Sequence, residues 1–238
     1  MSAPDKTSPQ ETPATDALVH ATPTFTLLRA LSVVSAVCGL IIVASYLLTL
    51  DRAKDNRRLA SERAVLKVLP GASAIKPWLA LASGDVVPAG EGDPPPGAVR
   101  FYAAYNDKGG LDGIAAEGAA KGYADMVRVM FGYRKACQCI VGIGVVSMRE
   151  TPGIGDKILT DKDFQANFKA LDVKLNDELS ALANEVKVVK HGTKAQAWQI
   201  DAISGSTVTS RAVGKGINEA AQQLLPRLVP KLDRLEKP

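Results

Sequence analysis

Histidine and cysteine are scarce in this chain, and their scarcity excludes whole classes of chemistry. The 238 residues hold two histidines, His20 and His191, and three cysteines, Cys38, Cys137 and Cys139. A Ser-His-Asp triad would have to use His191, and a zinc site built from four Cys/His ligands is out of reach. An iron–sulfur cluster on four thiolates of this chain is excluded, and an odd cysteine count argues against a disulfide scaffold. No metal site is expected, and redox chemistry would need an organic cofactor. Charge of one sign is lacking too, because 29 Lys+Arg against 25 Asp+Glu leave a net +4. Nucleic-acid binders concentrate cations on one face, so no nucleic-acid partner is expected.

What the chain has in quantity is apolar sequence, 46% of its residues. The longest block, Ala30–Leu50, runs 21 residues without a charge. As a helix it spans roughly 30 Å, the hydrocarbon thickness of a bilayer. A signal peptide carries a shorter apolar stretch, about 7–15 residues, followed by a small-residue cleavage site. Here the block ends in Tyr46-Leu47-Leu48-Thr49-Leu50 and enters a charged helical segment, which favours a retained transmembrane helix over 25–50. Residues 1–24, rich in Pro, Ser, Thr and Ala, read as a disordered tail. Arg29 is the only Lys or Arg in the roughly fifteen residues before the block, while Arg52, Lys54, Arg57, Arg58 and Arg63 follow it. Counted by itself, that bias puts the C-terminal side in the cytoplasm.

Past the block, Asp51 to Leu69 reads as a helix stopped by Pro70-Gly71, and residues 84–97 as a Gly/Pro loop. Strands are expected at 98–105, 126–133 and 139–148, the middle one alternating with Val127, Val129, Phe131 and Tyr133 on one face. Arg134-Lys135-Ala136 suggests a hairpin between the last two. Phe164, Phe168, Leu171, Leu175, Leu179 and Leu182 predict a helix over 161–185. A strand at 195–200, a helix at 211–225 and a C-terminal tail at 226–238 complete the chain. The 51–225 stretch is long enough for a single α+β domain.

Two segments carry possible chemistry. Asp201-Ala-Ile-Ser204-Gly205-Ser206-Thr207-Val-Thr209-Ser210 lies between a strand and a helix. A helix start favours an anion, because unpaired N–H groups and the helix dipole point at it. Its plainer reading is a capped turn. It is not a phosphate-binding P-loop, since the lysine after the second glycine is absent. Arg149-Glu150-Thr151-Pro152-Gly153-Ile154-Gly155-Asp156-Lys157 follows a strand, and its proline and glycines allow a tight loop that a flat ligand can approach. The plainer reading there is a turn with its charges in water.

Together the segments resemble a known family. DAISGSTVTS is similar to the Asp-x-x-Ser/Thr-Gly-Ala-Thr motif of covalent FMN proteins, and ETPGIGDK to their Glu-Thr-Pro-Gly-Leu-Gly stretch. These proteins are the G subunit of Rnf ion-translocating electron-transport complexes and the C subunit of sodium-pumping NADH:quinone reductase. The resemblance covers residues 26–225, including the single anchor and Val68-Leu69-Pro70-Gly71. It implies FMN held as a phosphoester on Thr207, with Ser204, Gly205, Ser206, Thr209 and Ser210 around the phosphate and ribityl end. It places Glu150, Thr151, Pro152, Gly153 and Lys157 along the isoalloxazine. It also implies maturation by a separate flavin transferase that reads the motif around Asp201. Ser206 departs from the family's usual alanine and adds a hydroxyl able to compete as acceptor.

The expected fold is therefore α+β, with one N-terminal transmembrane helix and a single extracytoplasmic FMN-binding domain, a mainly antiparallel sheet flanked by helices. The expected role is an electron carrier within an Rnf-type ferredoxin:NAD oxidoreductase complex, in partnership with its other membrane subunits and not catalytic alone. The resemblance implies a domain on the periplasmic side of the inner membrane, where the transferase works, and the cation count does not forbid it, because long domains can cross despite flanking cations. The alternative is a non-redox, membrane-anchored docking module. Cys137 and Cys139, read on a strand, lie roughly 6.6 Å apart, at the edge of disulfide reach. Bare thiols packed in the sheet are favoured there over a disulfide or a metal shared with a partner.

Overall fold

The computed structural model describes residues 24–90, 92 and 94–235. All of the expected disordered tail except Thr24 lies outside the described residues. The chain divides into two units, one ending at Ala53 and one starting at Lys54, and helix α1 (Thr24–Val68) runs through that boundary. In the first unit α1 is long and apolar enough to cross a membrane, with side chains such as Leu40 and Ile42 exposed. In the second unit its last turns bury Ser61, Ala64, Val65 and Val68.

The second unit is built on strands β1 (Ala74–Ala80), β2 (Val86–Pro88), β3 (Val99–Tyr105), β4 (Leu111–Lys121), β5 (Met126–Arg134) and β6 (Cys139–Ser147). The short helix α2 (Lys162–Ala166) and the two-residue strand β7 (Leu171–Asp172) follow. Last come β8 (Lys187–Val189), β9 (Gln199–Asp201) and helix α3 (Thr207–Leu228). The sheet order is β2-β1-β3-β4-β5-β6-β7, antiparallel throughout, and β8 and β9 form a separate parallel pair.

Period-two alternation sorts β5 between the two faces of the sheet. Val127, Val129, Phe131 and Tyr133 share a core with Val213, Ile217, Leu224 and Leu225 of α3. Met130 points the other way, into a smaller cluster with Ala64, Val65, Val68 and Leu69 from the end of α1. Both helices come very close to the sheet. A Cβ on Gly118 of β4 would stand 2.4 Å from the Gly216 carbonyl oxygen, and one on Gly132 2.8 Å from the Val68 oxygen. Glycine is needed at Gly118 of β4 and Gly132 of β5 because the facing backbones leave no room for a side chain.

Several expectations need correction. β1, β2 and β4 fall outside the expected strands, and β2 lies within the stretch read as loop. No helix spans 161–185: after α2 and a single turn of 3-10 helix at Asn167–Lys169 the chain becomes β7 and irregular loops. Asp161 caps α2 by accepting from the Phe164 N–H, and Leu179 takes a left-handed φ of +56°. Phe164, Phe168, Leu171 and Leu182 reach the core from different local structures that mimic a helical period, while Leu179 is 45% exposed. Residues 226–235 are no loose tail, since Leu228, Leu232 and Leu235 are at most 1% exposed.

Cys137 and Cys139 form a disulfide with Cα atoms 5.1 Å apart. Only Cys139 is on a strand. Cys137 belongs to the β5–β6 turn, and Gln138 between them bends into the left-handed region at φ +50°. That bend shortens the separation expected from an extended strand.

Candidate cofactor site

Strand β9 delivers the chain to α3 through a short turn. Gly205 takes φ +80°, a conformation that suits glycine. The Ser206 N–H donates to the Ile203 carbonyl at 3.0 Å, and the Ser210 N–H to the Ser206 carbonyl at 3.0 Å. Ser210 locks the turn from inside: its Oγ accepts from the Ile203 N–H at 3.1 Å and donates to the Ser206 carbonyl at 2.9 Å. Helix α3 starts at Thr207, four residues before the expected helix, so Thr207 sits on its first turn. The first N–H groups of a helix have no acceptor within it and carry the positive end of its dipole.

Glu150 forms the facing wall. Its Oε1 accepts from the N–H groups of Ala124 at 3.1 Å and Asp125 at 3.5 Å. Its Oε2 accepts from the Tyr123 N–H at 3.3 Å and the Thr209 hydroxyl at 2.8 Å. Burial pushes the carboxyl's pKa up, but the Thr209 hydroxyl and the three backbone donors outweigh it and leave it below its ordinary value. Two glycines make room for this side chain. A Cβ on Gly122 would stand 2.4 Å from Oε1, and one on Gly155 2.5 Å from the Glu150 Cβ. Gly155 is thus required for space, whereas Gly153 is the glycine with positive φ, at +76°.

Between the walls lies a cavity of about 500 Å³, within the usual size range of ligand pockets. Tyr123, Glu150, Thr151, Ile154 and Gly155 line one side, and Gly205, Ser206, Thr207, Val208 and Thr209 the other. Tyr123 is 73% exposed, and Ile154 and Val208 are about half exposed. Such uncovered apolar surface is suited to a flat ring.

Of the residues singled out from sequence, Glu150, Thr151, Gly205, Ser206, Thr207 and Thr209 meet at the cavity. Ser204, Pro152, Gly153 and Lys157 are exposed and do not line it, and Ser210 is fully buried. The Ser206 Oγ is shut inside the protein without a hydrogen-bond partner. It is therefore no open competitor to Thr207. Asp201 lies behind the turn: its Oδ2 accepts from the Gly192 N–H at 2.8 Å and stands 3.7 Å from His191 Nδ1. Its own N–H donates to Asn167 Oδ1 at 3.0 Å, which also accepts from Lys194 Nζ at 3.0 Å. Sequence reading missed Tyr123, Ile154 and Val208. The signal for the first was a Gly-Tyr-Ala-Asp turn feeding a strand.

A family model described as FMN-binding domain matches residues 122–222, which contain both walls. The G subunit of the ion-translocating oxidoreductase complex of Stutzerimonas stutzeri is 30% identical over 190 residues, covering 78% of this chain and 75% of that protein. The chain belongs to this G-subunit family. A second member, the G subunit from Methanosarcina acetivorans, is 27% identical over 188 residues, 79% of this chain and 87% of that one. The fold is shared more widely. The C subunit of the Na(+)-translocating NADH-quinone reductase of Parabacteroides distasonis superposes with a TM-score of 0.60 at 18% identity, over 75% of this chain and 96% of that one.

Proposed function

We propose that this G subunit relays electrons within a membrane-anchored ion-translocating oxidoreductase complex, with FMN joined through its phosphate to the Thr207 hydroxyl. The observation that carries the reading is the place of Thr207: the first turn of α3, inside the cavity, facing the Glu150 loop. The residues present fit the group. A phosphate ester on Thr207 would meet helix N–H groups and a dipole that favour an anion. Gly205, with nothing within 4 Å of where its Cβ would be, leaves that approach open. Tyr123, Ile154 and Val208 offer apolar cover for a ring. When bound, FMN supplies one- and two-electron chemistry, and the chain supplies attachment, orientation and local charge.

In this reading the labour divides among the residues at the cavity. Thr207 holds the phosphate; Gly205 and Thr209 shape the turn around it; Glu150 and Thr151 hold the opposite wall. Ser204, Pro152, Gly153 and Lys157 stand further out, where they meet only what projects from the cavity. A threonine hydroxyl needs a base to act as a nucleophile. Glu150 is occupied by four donors, so attachment is assigned to a separate flavin transferase that reads the strand end at Asp201. The other partners are the remaining membrane subunits.

The domain is assigned to the periplasmic side of the inner membrane, with 25–50 as its single span. The Cys137–Cys139 disulfide supports an oxidising compartment, against the count of flanking cations.

The test is co-expression of the full chain with a flavin transferase, followed by a denaturing gel under ultraviolet light and mass analysis of the peptide containing residues 195–211. A fluorescent band with the mass of attached FMN, lost in Thr207→Ala, is the expected result. A colourless wild-type chain favours the docking-module alternative. A band lost in Thr209→Ala but kept in Thr207→Ala moves the attachment point.

A further inference from the structure

The Cys137–Cys139 disulfide lies outside the cofactor site, and fold stability does not account for it. It closes a ring of only three residues. The loop-closure entropy that a disulfide removes from the unfolded chain grows with loop length, so this ring gives the smallest return. The strands it touches are held without it, since Arg134 of β5 pairs directly with Cys139 of β6 and Cys139 pairs with Asp172 of β7. The turn also has its own backbone bonds: the Gln138 N–H donates to the Lys135 carbonyl at 3.3 Å, and the Gln138 carbonyl accepts from the Val173 N–H at 3.3 Å. Gln138 is one of two described non-glycine residues at positive φ, a region that L-residues seldom adopt.

The two sulfurs have different surroundings. Cys137 is exposed, whereas Cys139 is only 5% exposed. An incoming thiolate can therefore reach one sulfur and not the other. The bridge sits at the far end of β5 from the 122–125 turn of the cofactor cavity. Nine residues of strand separate them, roughly 26 Å at about 3.3 Å per residue.

We propose that Cys137–Cys139 is a thiol–disulfide exchange site for a dithiol, independent of the cofactor cavity. A thiolate of the dithiol attacks Cys137 Sγ, forming a mixed disulfide and breaking the bond to Cys139, which leaves as a thiolate and takes up a proton. The second thiol of the reductant then attacks its own sulfur in the mixed disulfide and releases Cys137 as a thiol. Two electrons and two protons pass to the protein, and the dithiol becomes its disulfide. The strand pairing at Cys139 and the backbone bonds of Gln138 do not depend on the bridge, so the fold survives its reduction.

The test uses the detergent-solubilised full chain with Cys38→Ala, equilibrated in mixtures of reduced and oxidised dithiothreitol without denaturant. Thiols are trapped with a polyethylene-glycol maleimide and read as a gel shift. Reversible two-thiol labelling, with circular dichroism and Tm of the reduced form within a few degrees of the oxidised form, is expected. A bond reduced only after denaturant is added overturns the proposal, as does unfolding upon reduction. Single-cysteine variants test the asymmetry. Incubated with oxidised glutathione, Cys139→Ser, which keeps Cys137, should acquire the adduct at least tenfold faster than Cys137→Ser, which keeps Cys139. Equal rates in two folded variants would refute attack at Cys137.

Discussion

The Thr209 hydroxyl donates a 2.8 Å hydrogen bond to Glu150 across 59 positions of sequence, tying the first turn of α3 to the loop after β6. The same carboxylate gathers the backbone N–H groups of Tyr123, Ala124 and Asp125. One anion thereby fixes three separate pieces of the cavity wall.

Glu150→Gln should lower Tm, and the deficit should depend on pH in a defined direction. The folded carboxyl is held below its ordinary value of 4.5, so the native state favours the anion. Its contribution is complete above 4.5 and is lost as pH falls through the lower folded value. Glu150→Gln also keeps one acceptor and presents an NH₂ to groups that donate, so a loss of about 1–2 kcal/mol at neutral pH is expected. Thermal melts of both proteins from neutral to acid pH should converge at the acid end. A constant gap would mean the charge is irrelevant.

The two serines flanking the start of α3 should respond in opposite ways. Ser206 Oγ is buried without a partner and makes no cap bond. Removing an unsatisfied buried hydroxyl relieves its desolvation, so Ser206→Ala should be neutral or stabilising by about 1 kcal/mol, with FMN loading unchanged. Ser210→Ala deletes both bonds that hold the 203–206 turn and should cost about 1–3 kcal/mol. Denaturant melts of the two variants separate these outcomes, and a Ser206→Ala protein that is less stable than wild type would contradict the first.

How much of this was legible in sequence depended on whether a residue's environment was local. The alternation of Val127, Val129, Phe131 and Tyr133 located β5 because it reports two faces of a sheet. The composition of β4, Leu-Asp-Gly-Ile-Ala-Ala-Glu-Gly-Ala-Ala-Lys, gave no strand signal. Its Gly118 answers to the backbone of α3 at Gly216, which is far away in the chain. The helix expected over 161–185 failed for the converse reason, since Phe164, Phe168, Leu171 and Leu182 share a core through different local structures. Motif spacing found Glu150 and Thr207 but not Tyr123, whose place depends on Glu150 holding its turn. The disulfide was missed because only the turn at Gln138 brings the cysteines together.

Under the proposed maturation by a flavin transferase, Asp201 offers a way to separate folding from recognition. Its Oδ2 holds the Gly192 N–H, a bond that an asparagine carbonyl can also accept. Asp201→Asn should therefore keep Tm within a few degrees of wild type while FMN loading by the transferase falls at least tenfold. Parallel measurement of Tm and gel fluorescence decides the matter. Loading at the wild-type rate would mean that the negative charge is not what the transferase reads.

The backbone contact between α3 and β4 offers the sharpest test of how the site is positioned. Gly118 and Gly216 let the two elements touch without side chains between them, and a Cβ at Gly118 would stand 2.4 Å from the Gly216 oxygen. Neither partner is a flexible side chain, so the added methyl must push α3 away from the sheet. Gly118→Ala should cost about 3 kcal/mol, the upper range for overpacking a core. Because Thr207 and Thr209 ride on α3, the displacement should also pull Thr209 from Glu150 and reduce FMN loading at temperatures where the protein remains folded. Gly90→Ala is the control, with nothing within 4 Å of its added methyl, and should change neither reading. Urea melts and loading assays on the pair measure both effects, and a Gly118→Ala protein as stable as the control would show that the two backbones are not in contact.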